Sequence, residues 1–272
     1  MRTMKPSALF SRIVRSALGA FFGALIASSP MGAKADEKPT IILVHGAMAD
    51  SSSWFGVVGK LQAKGYRVVA AANPLRSLKG DAQYVSELLK SIKTPVVLVG
   101  HSYGGSVITN AANGNPNVKA LVYVAAFAPD EGESAFDLVG KFPGSVLGAA
   151  LAPPVPVANG ANDLYVDPSK FKEPFAADVP DAQVKLMAAT IRPVTDAALK
   201  EASGSPAWKS IPSWFVFGSG DRSIPPAAQA FMASRAGSKQ TAVISGASHL
   251  VMISHPDEVT KVIEESAAFT TQ

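Results

Sequence analysis

The stretch that most constrains this chain is residues 95–110, PVVLVGHSYGGSVITN. Residues 96–99 form an unbroken apolar run bounded by Pro95 and Gly100, the signature of a strand buried on both faces. The chain then turns through Gly100, His101, Ser102, Tyr103, Gly104 and Gly105. It leaves on residues 106–112, whose apolar side chains recur at helical spacing. Strand, sharp turn and helix thus follow one another, with a serine at the apex and a glycine two residues to either side. Such a turn strains the serine backbone and presses the flanking positions, Gly100 and Gly104, against the neighbouring strand and helix, where a side chain has no room. It lifts the Ser102 hydroxyl above the sheet edge. It also leaves the Tyr103 N–H at a helix N-terminus, where it can stabilise a developing oxyanion.

Around this stretch, strand and helix signals alternate. Apolar runs at residues 40–44, 68–71, 120–125, 214–217 and 241–244 read as strands. Trp54, Val57, Val58 and Leu61 lie on one helical face behind Asp50, a helix cap. Val85, Leu88, Leu89 and Ile92 mark a second helix, and Ala228, Phe231 and Met232 a third. Pro256, Asp257 and Glu258 open a final one. This alternation predicts an α/β fold with a mostly parallel sheet of about six strands. In such sheets the ligand crevice lies at the carboxyl ends of the strands. His45, Ser102, Asp130, Asp221 and His249 all follow strand ends, so reactive side chains collect along one edge.

Residues 131–205 break the alternation. They contain eight prolines, yet Phe136, Leu138, Phe142, Leu147, Leu164, Tyr165, Phe171 and Phe175 supply apolar anchors that a disordered segment would lack. They read as a cap inserted between two core strands, with Val184, Met187 and Ala188 marking a helix within it. The core is then 36–130 and 206–272.

The chain has 272 residues and a formal charge of +4. That charge belongs to the first 35 residues, which carry Arg2, Lys5, Arg12, Arg15 and Lys34 and no acid. Without those five, 20 basic residues face 21 acidic ones, a net of −1, so nothing points to nucleic acid as a partner. The basic start, the apolar stretch at residues 17–27 and the A-x-A at residues 33–35 form a secretory signal. The expectation is a mature protein beginning near Asp36, periplasmic or secreted, with no stable membrane anchor after cleavage. The absence of cysteine excludes a disulfide scaffold, a thiol nucleophile and cysteine-ligated metal.

His45-Gly46-Ala47 after the first strand, Gly100-His101-Ser102-Tyr103-Gly104-Gly105, Gly220-Asp221 after a late strand and His249 after the last resemble the α/β-hydrolase superfamily. The resemblance spans residues 40–268. It is strongest to small bacterial esterases and extends to plant methyl-ester esterases and hydroxynitrile lyases. It implies that fold with a cap, and the first two strands of the family sheet are missing here.

The roles that follow are Ser102 as nucleophile, His249 as general base and Asp221 as the acid that orients it, in the family order Ser, Asp, His. A serine hydroxyl is a weak nucleophile until a base takes its proton. Of the four histidines, His45 and His101 shape turns, and His255 precedes Pro256 at a helix start. Asp130 stays open as a rival acid. The oxyanion hole falls to the N–H groups of Ala47 and Tyr103, with Gly46 keeping the backbone close to the substrate. Trp54 and Phe127 are candidates for the substrate pocket, with core packing as the favoured alternative for each. The expected activity is hydrolysis of a small, apolar carboxylic ester through an acyl-enzyme, with no metal or organic cofactor. A hydroxynitrile lyase-like or perhydrolase reaction on the same three residues is the alternative, and a ligand-binding protein on the same fold is the non-enzymatic one.

Overall fold

The computed structural model of the chain describes residues 38–271. The secretory signal expected at residues 1–35 lies outside the described residues. The first half of the core alternates strand and helix: β1 (Thr40–Val44), α1 (Phe55–Ala63), β2 (Val68–Ala71), α2 (Leu78–Lys90), β3 (Val96–His101), α3 (Tyr103–Ala111) and β4 (Val118–Val124). Every residue of β1 and β3 is buried, as their unbroken apolar runs require of strands covered on both faces. Asp50 caps as read from the sequence, and α2 has a serine cap of its own. Asp50 accepts the Ser52 N–H at 2.7 Å at the head of the 3-10 turn that leads into α1, and Ser77 Oγ caps α2 by accepting the Gly80 N–H. Ile92 falls beyond the end of α2, and Val58 and Leu88 are only half-buried.

Residues 131–205 fold into short pieces: α4 (Ala135–Lys141), α5 (Leu147–Ala150), β5 (Val155–Pro156), β6 (Asn162–Leu164), α6 (Lys172–Phe175), α7 (Asp181–Ala189), β7 (Val194–Thr195) and α8 (Asp196–Lys200). The three strands pair antiparallel in a small sheet of their own, β5-β6-β7. The base of the insertion is closed by Gly132 N–H to Ser203 O at 2.9 Å and Ser203 N–H to Glu133 O at 2.8 Å. Its far side is tied to the core at Arg76. That residue meets Asp163 at 2.6 Å through Nη1, and its carbonyl accepts the Thr195 hydroxyl at 2.7 Å. Leu138, Phe171 and Phe175 anchor it in the core, whereas Phe136 is 63% exposed.

The chain returns through β8 (Ser213–Gly218), α9 (Pro226–Arg235), β9 (Gln240–Ile244), α10 (Val251–Ser254) and α11 (Pro256–Phe269). The main sheet has six parallel strands in the order β2-β1-β3-β4-β8-β9. The winding reverses between β1 and β3, so the loops leaving these neighbours diverge and open a crevice. Val44 of β1 stands beside Gly100 of β3, and Gly218 of β8 beside Ile244 of β9. That register brings the loops after β1 and β3, and those after β8 and β9, out of the sheet at one edge.

Candidate active site

Ser102 sits between β3 and α3 at φ +53°, ψ −125°. A non-glycine residue there carries strain of about 1–3 kcal/mol, which the surroundings must hold. They do so with the backbone: Ser102 N–H donates to Ala125 O at 3.2 Å, and Ser102 O accepts from Gly105 N–H at 2.9 Å and Phe127 N–H at 3.1 Å. A Cβ on Gly100 would come within 2.6 Å of Gly104 O, and one on Gly104 within 2.5 Å of Val44 O, so neither position has room for a side chain. Gly46 is pressed against the turn as well. A Cβ there would meet Ser102 Cβ at 2.5 Å, so its close approach is to the serine itself.

His249 follows β9 and is fully buried. Its Nδ1 lies 2.8 Å from Asp221 Oδ2, and both side chains are shielded from solvent. The Asp221 carboxylate is saturated by donors. Oδ1 accepts Ser223 N–H at 2.8 Å and Ile224 N–H at 2.9 Å, while Oδ2 accepts Gln229 Nε2 at 2.8 Å beside His249. Gln229 and the backbone donors were not legible as site residues. The one available signal was a glutamine on the buried face of α9, beside Ala228 and Met232. Asp130, the rival acid, lies elsewhere. It pairs with Lys209 at 2.6 Å on the surface, which holds its carboxyl below the usual range.

The loop carrying His249 is stitched to the insertion on both sides. Ser248 Oγ donates to Phe175 O at 3.0 Å and also meets Asp178, and Leu250 N–H donates to Phe175 O at 2.9 Å. His101 Nε2 reaches His249 O at 3.2 Å, and the two rings lie 4.8 Å apart. Burial, and then the nearby His249, hold the His101 pKa well below its ordinary value, so its ring is neutral and donates from Nε2. His249 Nε2 is buried and has no hydrogen-bond partner. The Ser102–His249 hydrogen bond is therefore not formed in this structure, although His101 joins the two residues by a peptide bond on one side and ring contact on the other. Such bonds are often loose before substrate binds.

Ser102, Ala47, Tyr103 and Phe127 border a cavity of about 330 Å³ roofed by insertion residues that include Leu147, Leu151 and Phe175. The walls are mostly apolar. Asn162, Asp196 and Lys200 form a polar margin, in which Asp196 accepts Asn162 N–H at 2.9 Å and Lys200 Nζ at 3.2 Å. Those two contacts pull the Asp196 pKa down to about 2. Trp54 is not part of this wall: it is fully buried and packs edge-on against the His101 ring at 6.3 Å, a core position. His45 is also a core residue, with Nδ1 2.9 Å from Gly46 O and a pKa lowered by burial. His255 stands at the head of α11, its Nδ1 2.9 Å from Ser254 Oγ. The Tyr103 hydroxyl donates to the buried Asp81 carboxylate at 2.9 Å, fastening the turn to α2. Burial raises the pKa of both groups. Among the described residues no helix is long and apolar enough to cross a membrane.

The model of the alpha/beta hydrolase family matches residues 41–262. The chain belongs to this family. Among curated relatives of this alpha/beta hydrolase, norfluorocurarine synthase 2 from a Strychnos species is 25% identical over 82% of this chain and 93% of its own. The alpha-hydroxynitrile lyase of Arabidopsis thaliana is 26% identical over 82% and 95%. Among solved structures, polyneuridine aldehyde esterase superposes with a TM-score of 0.74 at 21% identity, covering 84% of this chain and 99% of that one, a likeness of fold.

Proposed function

We propose that this alpha/beta hydrolase cleaves a small carboxylic ester with an apolar acyl group through an acyl-enzyme on Ser102. The observation that carries the reading is the His249–Asp221 pair: Nδ1 is held at 2.8 Å by a carboxylate that three other donors fix in place, leaving Nε2 as the ring's free basic site. In the first step Ser102 Oγ attacks the ester carbonyl while its proton passes to His249 Nε2. Asp221 stabilises the imidazolium that results. The carbonyl oxygen gathers negative charge, which the N–H groups of Ala47 and Tyr103 receive. Both residues border the cavity, and Tyr103 heads α3, so its N–H has no acceptor within the helix. One such donor is worth roughly 3 kcal/mol in a transition state. Collapse expels the alkoxide, which takes the proton from His249, and water repeats the sequence to release the acid.

A lyase reaction at the same residues is the second reading, favoured by the hydroxynitrile lyase relative. The two part at the serine: hydrolysis passes through an acyl-Ser102 adduct, and lyase chemistry needs none. With p-nitrophenyl acetate, rapid quench and mass spectrometry should find 42 Da, an acetyl group, on the peptide bearing Ser102 (roughly, by acyl-enzyme stoichiometry). Ser102→Ala should abolish both turnover and fluorophosphonate labelling. Full ester hydrolysis by Ser102→Ala would refute the proposal. We also propose export with cleavage after Ala35, which the N-terminal sequence of the mature protein tests directly.

A further inference from the structure

One short stretch of the insertion, residues 174–178, touches both loops that carry the acid–base pair. Pro174 O accepts Ser223 Oγ at 2.8 Å, and Ser223 N–H is one of the two backbone donors that fix Asp221 Oδ1. Phe175 O accepts Leu250 N–H at 2.9 Å and Ser248 Oγ at 3.0 Å, from the residues on either side of His249. Asp178 closes the stretch. Its Oδ1 meets the Ser248 hydroxyl, and its Oδ2 stands 3.5 Å from His255 Nδ1. One carboxylate of the insertion therefore holds the start and the end of the segment that carries His249 and α10.

These contacts differ in kind. Pro174 and Phe175 offer main-chain carbonyls, which any sequence supplies. Asp178 is the one polar side chain between residues 174 and 178. Burial works against its charge, yet the hydroxyls of Ser248 and Ser254 outweigh burial and hold the carboxyl below its ordinary value. Ser248 is itself buried, so its hydroxyl finds these partners in place of water. The alignment they guard is tight. Asp221 and His249 come from different loops, and their 2.8 Å contact lasts only while the loops keep their spacing. His249 Nε2 must also reach Ser102 once substrate is bound, and a displacement of about 1 Å can cost on the order of a hundredfold in rate. Resting on the proposed ester reaction with His249 as its base, we infer that the insertion holds the acid and base loops in register, and that Asp178, acting through Ser248, is a positioning residue for His249.

Two substitutions separate the acceptor from the bulk of the side chain. Asp178→Leu removes the acceptor, and Asp178→Asn keeps an oxygen for Ser248. With p-nitrophenyl acetate the leucine variant should lose about tenfold to a hundredfold in kcat. KM should stay within about twofold, because acylation and deacylation both use His249 and slow together. The asparagine variant should return kcat to within about threefold of the wild type. Ser248→Ala should lose at least as much as the leucine variant, and the double variant no more than Ser248→Ala, since both break one link. Lys172→Met removes a surface ion pair with Asp181 inside the insertion and should change kcat by less than about twofold. In proton NMR the downfield Nδ1–H resonance of His249, assigned by its loss in Asp221→Asn, should broaden in Asp178→Leu and stay sharp in Asp178→Asn. Full kcat with a sharp resonance in Asp178→Leu would overturn the inference, and so would equal losses for leucine and asparagine. If the leucine variant folds poorly by urea unfolding, Ser248→Ala carries the same readings. If the wild type forms no acyl-Ser102 from any ester, the esterase reading falls by itself, and the His249 resonance still decides the positioning role.

Discussion

Replacing Asp221 by asparagine isolates one proton. The side chain keeps its size, and the surrounding donors dictate how it must sit. Ser223 and Ile224 present backbone N–H groups at 2.8 and 2.9 Å to Oδ1, and a backbone donor cannot turn away. The asparagine oxygen must stay with them, so its NH₂ faces Gln229 and His249. Gln229 can meet it only by turning over, which forfeits the Nε2 bond to Ile224 O at 2.9 Å. His249 can meet it only by accepting at Nδ1, which moves the ring proton to Nε2. An Nε2–H cannot take the proton of Ser102.

The structure thus predicts a folded protein with the wrong histidine tautomer. The expected loss in kcat is on the order of 10⁴, equivalent to about 5 kcal/mol of transition-state stabilisation. The turned glutamine adds about 1–3 kcal/mol of lost stability. Steady-state hydrolysis of p-nitrophenyl acetate measures the first quantity, and urea unfolding the second. Asp221→Ala would be less informative, since it strands four donors in the interior. Asp130→Asn is the control: its partner Lys209 lies at the surface, and kcat should change by less than about twofold. A loss under about tenfold for a well-folded Asp221→Asn, or a comparable loss for Asp130→Asn, would sink the reasoning.

Two further outcomes follow from the buried groups. Burial depresses the pKa values of His45 and His101, so between those lowered values and the unfolded value near 6.5 the unfolded chain binds more protons. Stability is therefore full above about pH 6.5 and falls as pH drops below it, by on the order of 1 kcal/mol per pH unit for each ring; urea midpoints at pH 7.5 and 5.5 should differ accordingly, and His101→Gln should flatten the slope. Tyr103→Phe removes a donor from the buried Asp81 carboxylate, whose pKa is already raised by burial. It should cost about 1–3 kcal/mol at pH 7, and the deficit should shrink as pH falls and Asp81 takes up a proton; a deficit independent of pH would contradict this account.

Much of the core was legible because its signals are local. Residues 96–99 are apolar on both faces of a strand, and the Gly100–Gly104 spacing is dictated by main-chain oxygens that a Cβ at either position would meet at 2.6 and 2.5 Å. The insertion was legible only as an insertion. Its strands are two or three residues long and its helices between four and nine, too short for periodicity to identify them. They are set instead by tertiary contacts, such as Arg76 with Asp163 and Thr195. The place of Trp54, core or pocket, was left open for a related reason. Helical spacing says that a face is buried, and it does not say whether the buried ring meets a ligand or, as here, the edge of His101.

The choice between Asp221 and Asp130 lay beyond local pattern altogether, and the sheet explains why. Both residues follow the ends of strands that are direct neighbours, β4 and β8, and both stand in turns that suit an aspartate. What separates them is the next strand in the order. Gly218 is paired with Ile244, so the loop after β8 rises beside the loop after β9, and Asp221 is the carboxylate that the His249 ring meets. The loop after β4 leaves instead toward the insertion, and Asp130 ends beside Lys209, whose neighbour Trp208 donates to Pro129 O at 2.9 Å. An acid is assigned by which strand stands next to the histidine's strand, a property of sheet order. The same register fixes the opposite end of the hydrogen-bond chain, because Val44 beside Gly100 is what brings Ala47 and Ser102 to one cavity. Between these two strand pairs lies the gap that His249 Nε2 must cross, and His101, bonded to Ser102, reaches across it with a neutral ring that rests on the carbonyl and the imidazole of His249.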